Sequence, residues 1–164
     1  MKKFLLFSAL FFCSLLSTAQ ARIVDLADVT NFGSNCDFND ETLVATYQGP
    51  YNRWFDLPDV TGDISKTPNL SIEVLESNVI LRVCILYRGD EPKPIQVDVT
   101  TLYGQMGKPI TSPKEIKLNL IKNSAGKVTQ EMLEKLVAIR ITMAKQCDDA
   151  IEPWHTKFGK VTLY

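Results

Sequence analysis

"LSIEVLESNVILRVCILY", residues 70–87, decides the fold class. Leu70, Ile72 and Val74 alternate with Ser71 and Glu73, and beyond Glu76-Ser77-Asn78 a second alternation begins. There Val79, Leu81, Val83, Ile85 and Tyr87 oppose Arg82 and Cys84. A period of two sends successive side chains to opposite faces of a strand, whereas a helix repeats every 3.6 residues. β-Branched side chains also suit a pleated backbone better than a helical one. The stretch therefore predicts two strands, 70–76 and 78–87, each with a core side and an outer side.

Outward from this pair, the same signal recurs in "TLVATY" (42–47), "IQVDVTTLY" (95–103) and "EIKLNLI" (115–121). Gly-Pro, Gly-Asp-Glu-Pro, Gly-Lys-Pro, Ser-Pro and Asn-Ser-Ala-Gly separate the runs, and all are turn chemistry. Many short strands with few helix signals predict an all-β sandwich or barrel. One segment reads two ways: "TQEMLEKLVAIRITMAKQ" (129–146) fits a single helix in its first half, but Val137, Ile139, Ile141 and Met143 alternate in its second. The reading adopted is one or two helical turns at 129–135 and a strand at 136–144. "WHTKFGKVTLY" (154–164) closes with a strand offering Phe158, Val161 and Leu163 to the core.

The first residues belong to a different physics. Lys2 and Lys3, the apolar run from Phe4 to Leu16 and the Ala19-Gln20-Ala21 tripeptide have the three parts of a secretory signal, with cleavage expected after Ala21. The run is shorter than the roughly 20 apolar residues of a good membrane span. The expectation is an exported chain, periplasmic or extracellular, soluble once cut, with no transmembrane segment in its mature part. Removing 21 of 164 residues leaves 143, enough for one domain, 22–164, and takes two lysines from the 18 basic residues against 19 acidic. The basic residues are scattered, which argues against a nucleic-acid partner, where neutralised phosphates supply the affinity. Cys36 and Cys147 lie in polar sequence and are expected to form a disulfide, with an intermolecular bond as the rival; Cys84 reads as a buried thiol within its strand. No CxxC or Cys/His cluster suggests zinc.

The order of elements resembles a known family. "WFDLPDVTGDISKTPNLSIEVLESNVILRVCILY" is similar to the middle of galactose-binding-like jelly-roll domains, the β-sandwich of many bacterial carbohydrate-binding modules. "LVAIRITMA", "KFGKVTLY" and the opening "IVDLADVTNFGSNCDFNDETLVATY" match that family's later and first strands in order and pattern. The resemblance implies a jelly-roll β-sandwich of about 8–9 strands with one short helix. It implies a non-catalytic glycan-binding role, and it leaves open a structural calcium near the opening strands.

Alternation then selects candidate residues. Trp54 and Asp56 oppose Phe55 and Leu57, and Arg140 and Thr142 oppose Val137, Ile139 and Ile141. If the strands share a sheet, Trp54, Asp56, Glu73, Arg82, Arg140 and Thr142 form one polar surface with an aromatic at its edge. Sugar rings stack C–H faces on aromatics while Arg and carboxylates bond their hydroxyls. The competing reading is plain cross-strand ion pairing. Tyr51, in the turn "GPYNR", is a loop candidate for stacking, while Trp154 is expected to cap an open end of the sandwich and Tyr47 to be packed. Asn35, Asp37, Asn39 and Asp40 have a calcium-loop-like spacing, although an EF-hand needs Gly and Glu where Asp40 and Thr46 stand; local Asx turns explain the same residues. "CDDAIE" (147–152) is a second such segment. His155 is the single histidine and lacks a nucleophile motif. The leading expectation is an oligosaccharide ligand, the alternative a protein-interaction or structural subunit of a surface assembly, and the weaker third a small glycan hydrolase.

Overall fold

The two alternations of residues 70–87 become two nine-residue strands lying in different sheets of a computed structural model, which describes residues 21–102, 108–147 and 153–164. In chain order the strands are β1 (Arg22–Val24), β2 (Cys36–Asn39), β3 (Val44–Tyr47), β4 (Trp54–Asp56), β5 (Asn69–Ser77), β6 (Val79–Tyr87), β7 (Ile95–Leu102), β8 (Lys114–Asn119), β9 (Leu136–Gln146) and β10 (His155–Leu163). Two short helices, α1 (Thr61–Ile64) and α2 (Gln130–Glu134), interrupt them. One sheet runs β2-β3-β10-β5-β8, with β1 also on β10; the other runs β4-β9-β6-β7. All the pairings are antiparallel. Apart from β2–β3 and β6–β7, successive strands from β2 to β10 change sheets, which is jelly-roll connectivity.

Alternation is realised because each strand has one wet side. Leu70, Ile72 and Val74 face Leu81, Val83 and Ile85 across the sandwich, all fully buried. Phe55 packs its ring against Phe38 at 5.1 Å and against Phe158 at 5.4 Å, joining both sheets at the centre. Each such side chain contributes about 1.5–3 kcal/mol on burial, so a one-residue slip that turned a strand's core set to water is strongly disfavoured.

The two-way segment resolves as helix, then strand. Thr129 caps α2, its hydroxyl accepting from the Met132 amide at 3.3 Å, and the chain turns at Lys135 into β9. The all-β sandwich is as expected, with ten strands rather than eight or nine among the described residues, and with α1 as a second short helix. The three-residue β1 carries too few residues for alternation to mark it.

No disulfide joins Cys36 to Cys147. Cys36 does not lie in a polar loop: it opens β2 opposite Tyr47, turned inward and 6% exposed. Burial, with Asp37 adding to it, pushes its thiol up to about 12, which suppresses the thiolate that exchange requires. Cys147 is equally buried. The signal-like residues 1–20 lie outside the described residues, and no described helix is long and apolar enough to cross a membrane.

Candidate functional site

Four strands place the outer-face residues in two rows. Trp54 of β4 lies opposite Thr142 of β9, then Arg82 of β6 and Thr101 of β7; one step along, the row is Asp56, Arg140, Cys84 and Asp98. Trp54, Asp56, Arg82 and Arg140 are thus brought onto one face, as period two predicts.

Glu73 is not among them. It belongs to β5 and projects from the opposite side of the sandwich, because the Glu76-Ser77-Asn78 connection crosses between sheets instead of folding a hairpin. There it accepts from the Lys160 amide at 3.0 Å, beside an irregularity between Phe158 and Val161. Gly159 leaves the room: a β-carbon at that position would collide with the Glu73 carboxylate. Glu73, Ser71, Glu115, Lys160 and Thr162 line a shallow cavity of about 270 Å³.

The Trp54 end of the four-stranded face is built as a stack. The Arg140 guanidinium carbon lies 3.3 Å from the centre of the Trp54 ring. Arg140 Nε donates to Asp56 Oδ1 at 2.7 Å and Nη2 donates to Oδ2 at 3.0 Å. Asn31 Nδ2 donates to the same Oδ2 at 2.6 Å, so both carboxylate oxygens are engaged. The pair is deep for charges, at 14% and 8% side-chain exposure. Such bidentate, charge-assisted bonds fix the guanidinium plane, and with it the indole it supports. One face of the ring is covered by Arg140, and Trp54 as a whole stays partly exposed.

Residues 31–33 extend this sheet beyond β4. Phe32 bridges to Phe55, the Gly33 amide donates to the Trp54 carbonyl at 2.8 Å, and the Asp56 amide donates to the Asn31 carbonyl at 2.9 Å. A side chain at Gly33 would strike the Asn52 carbonyl and stand 2.9 Å from Trp54 Nε1, so glycine leaves the space that the indole uses. Tyr51 stands beside this edge, 77% exposed, and is followed by Asn52 at φ 54°. Asn31 and Gly33 escaped sequence reasoning because the extension is too short to alternate; "NFG" is the trace it leaves.

The other half of the face is a second polar unit. Arg82 Nη1 pairs with Asp98 Oδ2 at 2.9 Å, the Cys84 thiol donates to Asp98 Oδ1 at 3.1 Å, and Gln96 Nε2 donates to the Cys84 sulfur at 3.5 Å. Cys84 is fully buried although it faces outward. Burial first, and then the bond to the Asp98 carboxylate, push its thiol up to about 12, so it is a neutral donor. Asp98 and Gln96 could have been found by extending the alternation of "IQVDVTTLY".

The remaining candidates scatter. Asp37 and Asn39 alternate along β2 rather than ringing a loop, and Asn39 Oδ1 accepts from the Thr42 amide and hydroxyl at 2.8 and 2.7 Å, an Asx turn. Asn35 lies against Gly49, at 3.2 Å from a β-carbon placed there. Among the described residues no three His, Cys, Asp or Glu side chains group to hold a metal ion; residues 148–152 of the second calcium-like segment lie outside those described. Trp154 stacks on Tyr47 at 5.4 Å and 20°, closing the end of the sandwich. Compared with known proteins, the chain matches no family model, no curated protein and no solved structure.

Proposed function

We propose that the chain is an exported, non-catalytic glycan-binding domain of the galactose-binding-like type, with Trp54 as its stacking platform. The observation that carries this reading is the indole held on the Arg140 guanidinium at 3.3 Å, itself clamped by Asp56, whose carboxylate Asn31 also holds. A rigid, partly exposed aromatic with one supported face suits the C–H face of a sugar ring. Tyr51, exposed in the adjoining turn, supplies a second ring and a hydroxyl. Because Asp56 is engaged by Arg140 and Asn31, its part is to orient the platform; hydrogen bonds to the ligand fall to Tyr51, Asn52 and the outward amide edges.

The test is a broad glycan array probed with the chain from Arg22 onward, beside a folded Trp54→Ala variant. Retention that disappears in Trp54→Ala supports the reading. A blank array overturns it in favour of the protein-interaction alternative. That alternative draws on a cleft of about 540 Å³ between Arg88-Gly89-Asp90 and residues 134–137, where Val137 is exposed.

A further inference from the structure

His155 opens β10 and is the single histidine of the chain. Its Nδ1 lies 2.9 Å from the Pro153 carbonyl oxygen, and its Nε2 lies 2.9 Å from Glu76 Oε1 on β5. A carbonyl and an ionised carboxylate only accept hydrogen bonds. Neutral imidazole has one N–H to give, and only the imidazolium has two. The geometry of both ring nitrogens therefore calls for the charged form.

The segment this ring ties down is structural for one end of the sandwich. Asn78 holds it as well: its side chain donates to the Pro153 carbonyl at 3.0 Å and accepts from the His155 amide at 2.8 Å. The Trp154 carbonyl accepts from the Tyr47 amide at 3.2 Å, and the Trp154 ring stacks on Tyr47. Tyr47 in turn leads directly into the 48–53 connection.

We propose that His155 is a pH-operated latch, closed as the imidazolium, which binds Pro153-Trp154-His155 to the end of β5 and holds Trp154 on Tyr47. Loss of a proton to solvent sets an acceptor against an acceptor at one of the two nitrogens, whichever tautomer forms. The ring must then release either Glu76 or Pro153, and Trp154 loosens over Tyr47 while the Asn78 bonds keep the segment attached. Among the described residues, the other groups around the ring are few. Thr46 is its neighbour on β3, Asp37 stands beyond Thr46 on β2, and Lys157 lies across from Glu76. Burial alone lowers the affinity of this ring for its proton, but the Pro153 and Glu76 bonds outweigh burial and raise it above the ordinary histidine value. A raised folded-state value means that the stabilisation is fully present below about pH 6.5 and is lost as pH rises through the folded value.

The latch is independent of any ligand, so its test needs none. The imidazole carbon-bound protons are followed by NMR from about pH 5 to about pH 8, in the unsubstituted chain and in Glu76→Gln. Trp154 emission is followed in a Trp54→Phe background, where it is the remaining tryptophan. Expected are a midpoint above about 6.5, a lower midpoint in Glu76→Gln, and a Trp154 transition at the His155 midpoint. If the Trp54→Phe chain does not fold, exchange of the Tyr47 amide in the unsubstituted protein should accelerate across the same midpoint relative to other sheet amides. A midpoint at or below the ordinary value, or Trp154 emission and Tyr47 exchange that ignore the titration, would overturn the proposal.

Discussion

The two outer faces of this sandwich use the same kinds of side chain in different ways. On the four-stranded sheet, Arg140 and Asp56 are 14% and 8% exposed and are joined by two bonds of 2.7 and 3.0 Å. On the six-stranded sheet, Lys117 and Glu115 are 62% and 56% exposed and approach only to 3.6 Å. The first pair lies under an indole and beside a strand extension; the second stands in water. Desolvation makes the first pair a commitment, since either charge alone is costly to bury, and leaves the second nearly free to come and go. Only a face with committed side chains can hold an aromatic in one orientation, and for this reason the functional reading rests on the four-stranded side.

The sharpest way to break the comparison is Arg140→Ala. It strands the Asp56 carboxylate in a buried site with Asn31 as its remaining partner, and should cost about 3–5 kcal/mol in denaturant unfolding. The double variant Asp56→Leu with Arg140→Met removes both charges and should recover most of that loss, because well-packed apolar replacements are often neutral. A loss below about 1 kcal/mol in Arg140→Ala would put the pair in the class of surface bridges and dissolve the contrast.

Next in size is Gly33→Ala. The added carbon strikes the Asn52 carbonyl, which is backbone and cannot swing aside, and crowds Trp54 Nε1. Overpacking of this kind costs about 1–3 kcal/mol. Thermal unfolding checks the cost, and a changed Trp54 environment in a Trp154→Phe background checks its location. A substitution that lowered the midpoint while leaving Trp54 emission untouched would show that the extension supports β4 but not the indole.

How much of this was legible is a matter of range. Alternation is local, so it correctly sent Phe55, Leu70, Ile72, Val83 and Phe158 inward and Trp54, Arg82 and Arg140 outward. The switch from helix to strand near 135 was legible for the same reason, in the crowding of β-branched residues after Leu136. Sheet membership is not local. Glu73 and Arg82 have the same outward mark, yet they lie on opposite sides of the molecule, because nothing in Glu76-Ser77-Asn78 distinguishes a crossing from a hairpin. The Asp56–Arg140 clamp joins residues 84 apart in sequence, and it depends on the β4–β9 register. Cys36 was misjudged because its polar neighbours hid a strand that begins at the cysteine itself.

The smallest expected effect tests the exposed face. Glu115 accepts from the Ser71 hydroxyl at 2.7 Å, and that bond, ahead of the Lys117 charge, holds its carboxyl below the usual carboxylate range. Lys117→Ala should therefore leave both the unfolding midpoint and its pH dependence essentially unchanged, whereas Ser71→Ala should raise the Glu115 titration seen by NMR. The order of these two variants is informative. If Lys117→Ala moved Glu115 more than Ser71→Ala did, the charge across the strand would be holding the carboxylate. The six-stranded face would then contain an ion pair comparable in kind to Asp56–Arg140, and exposure could no longer be the property that separates the two faces.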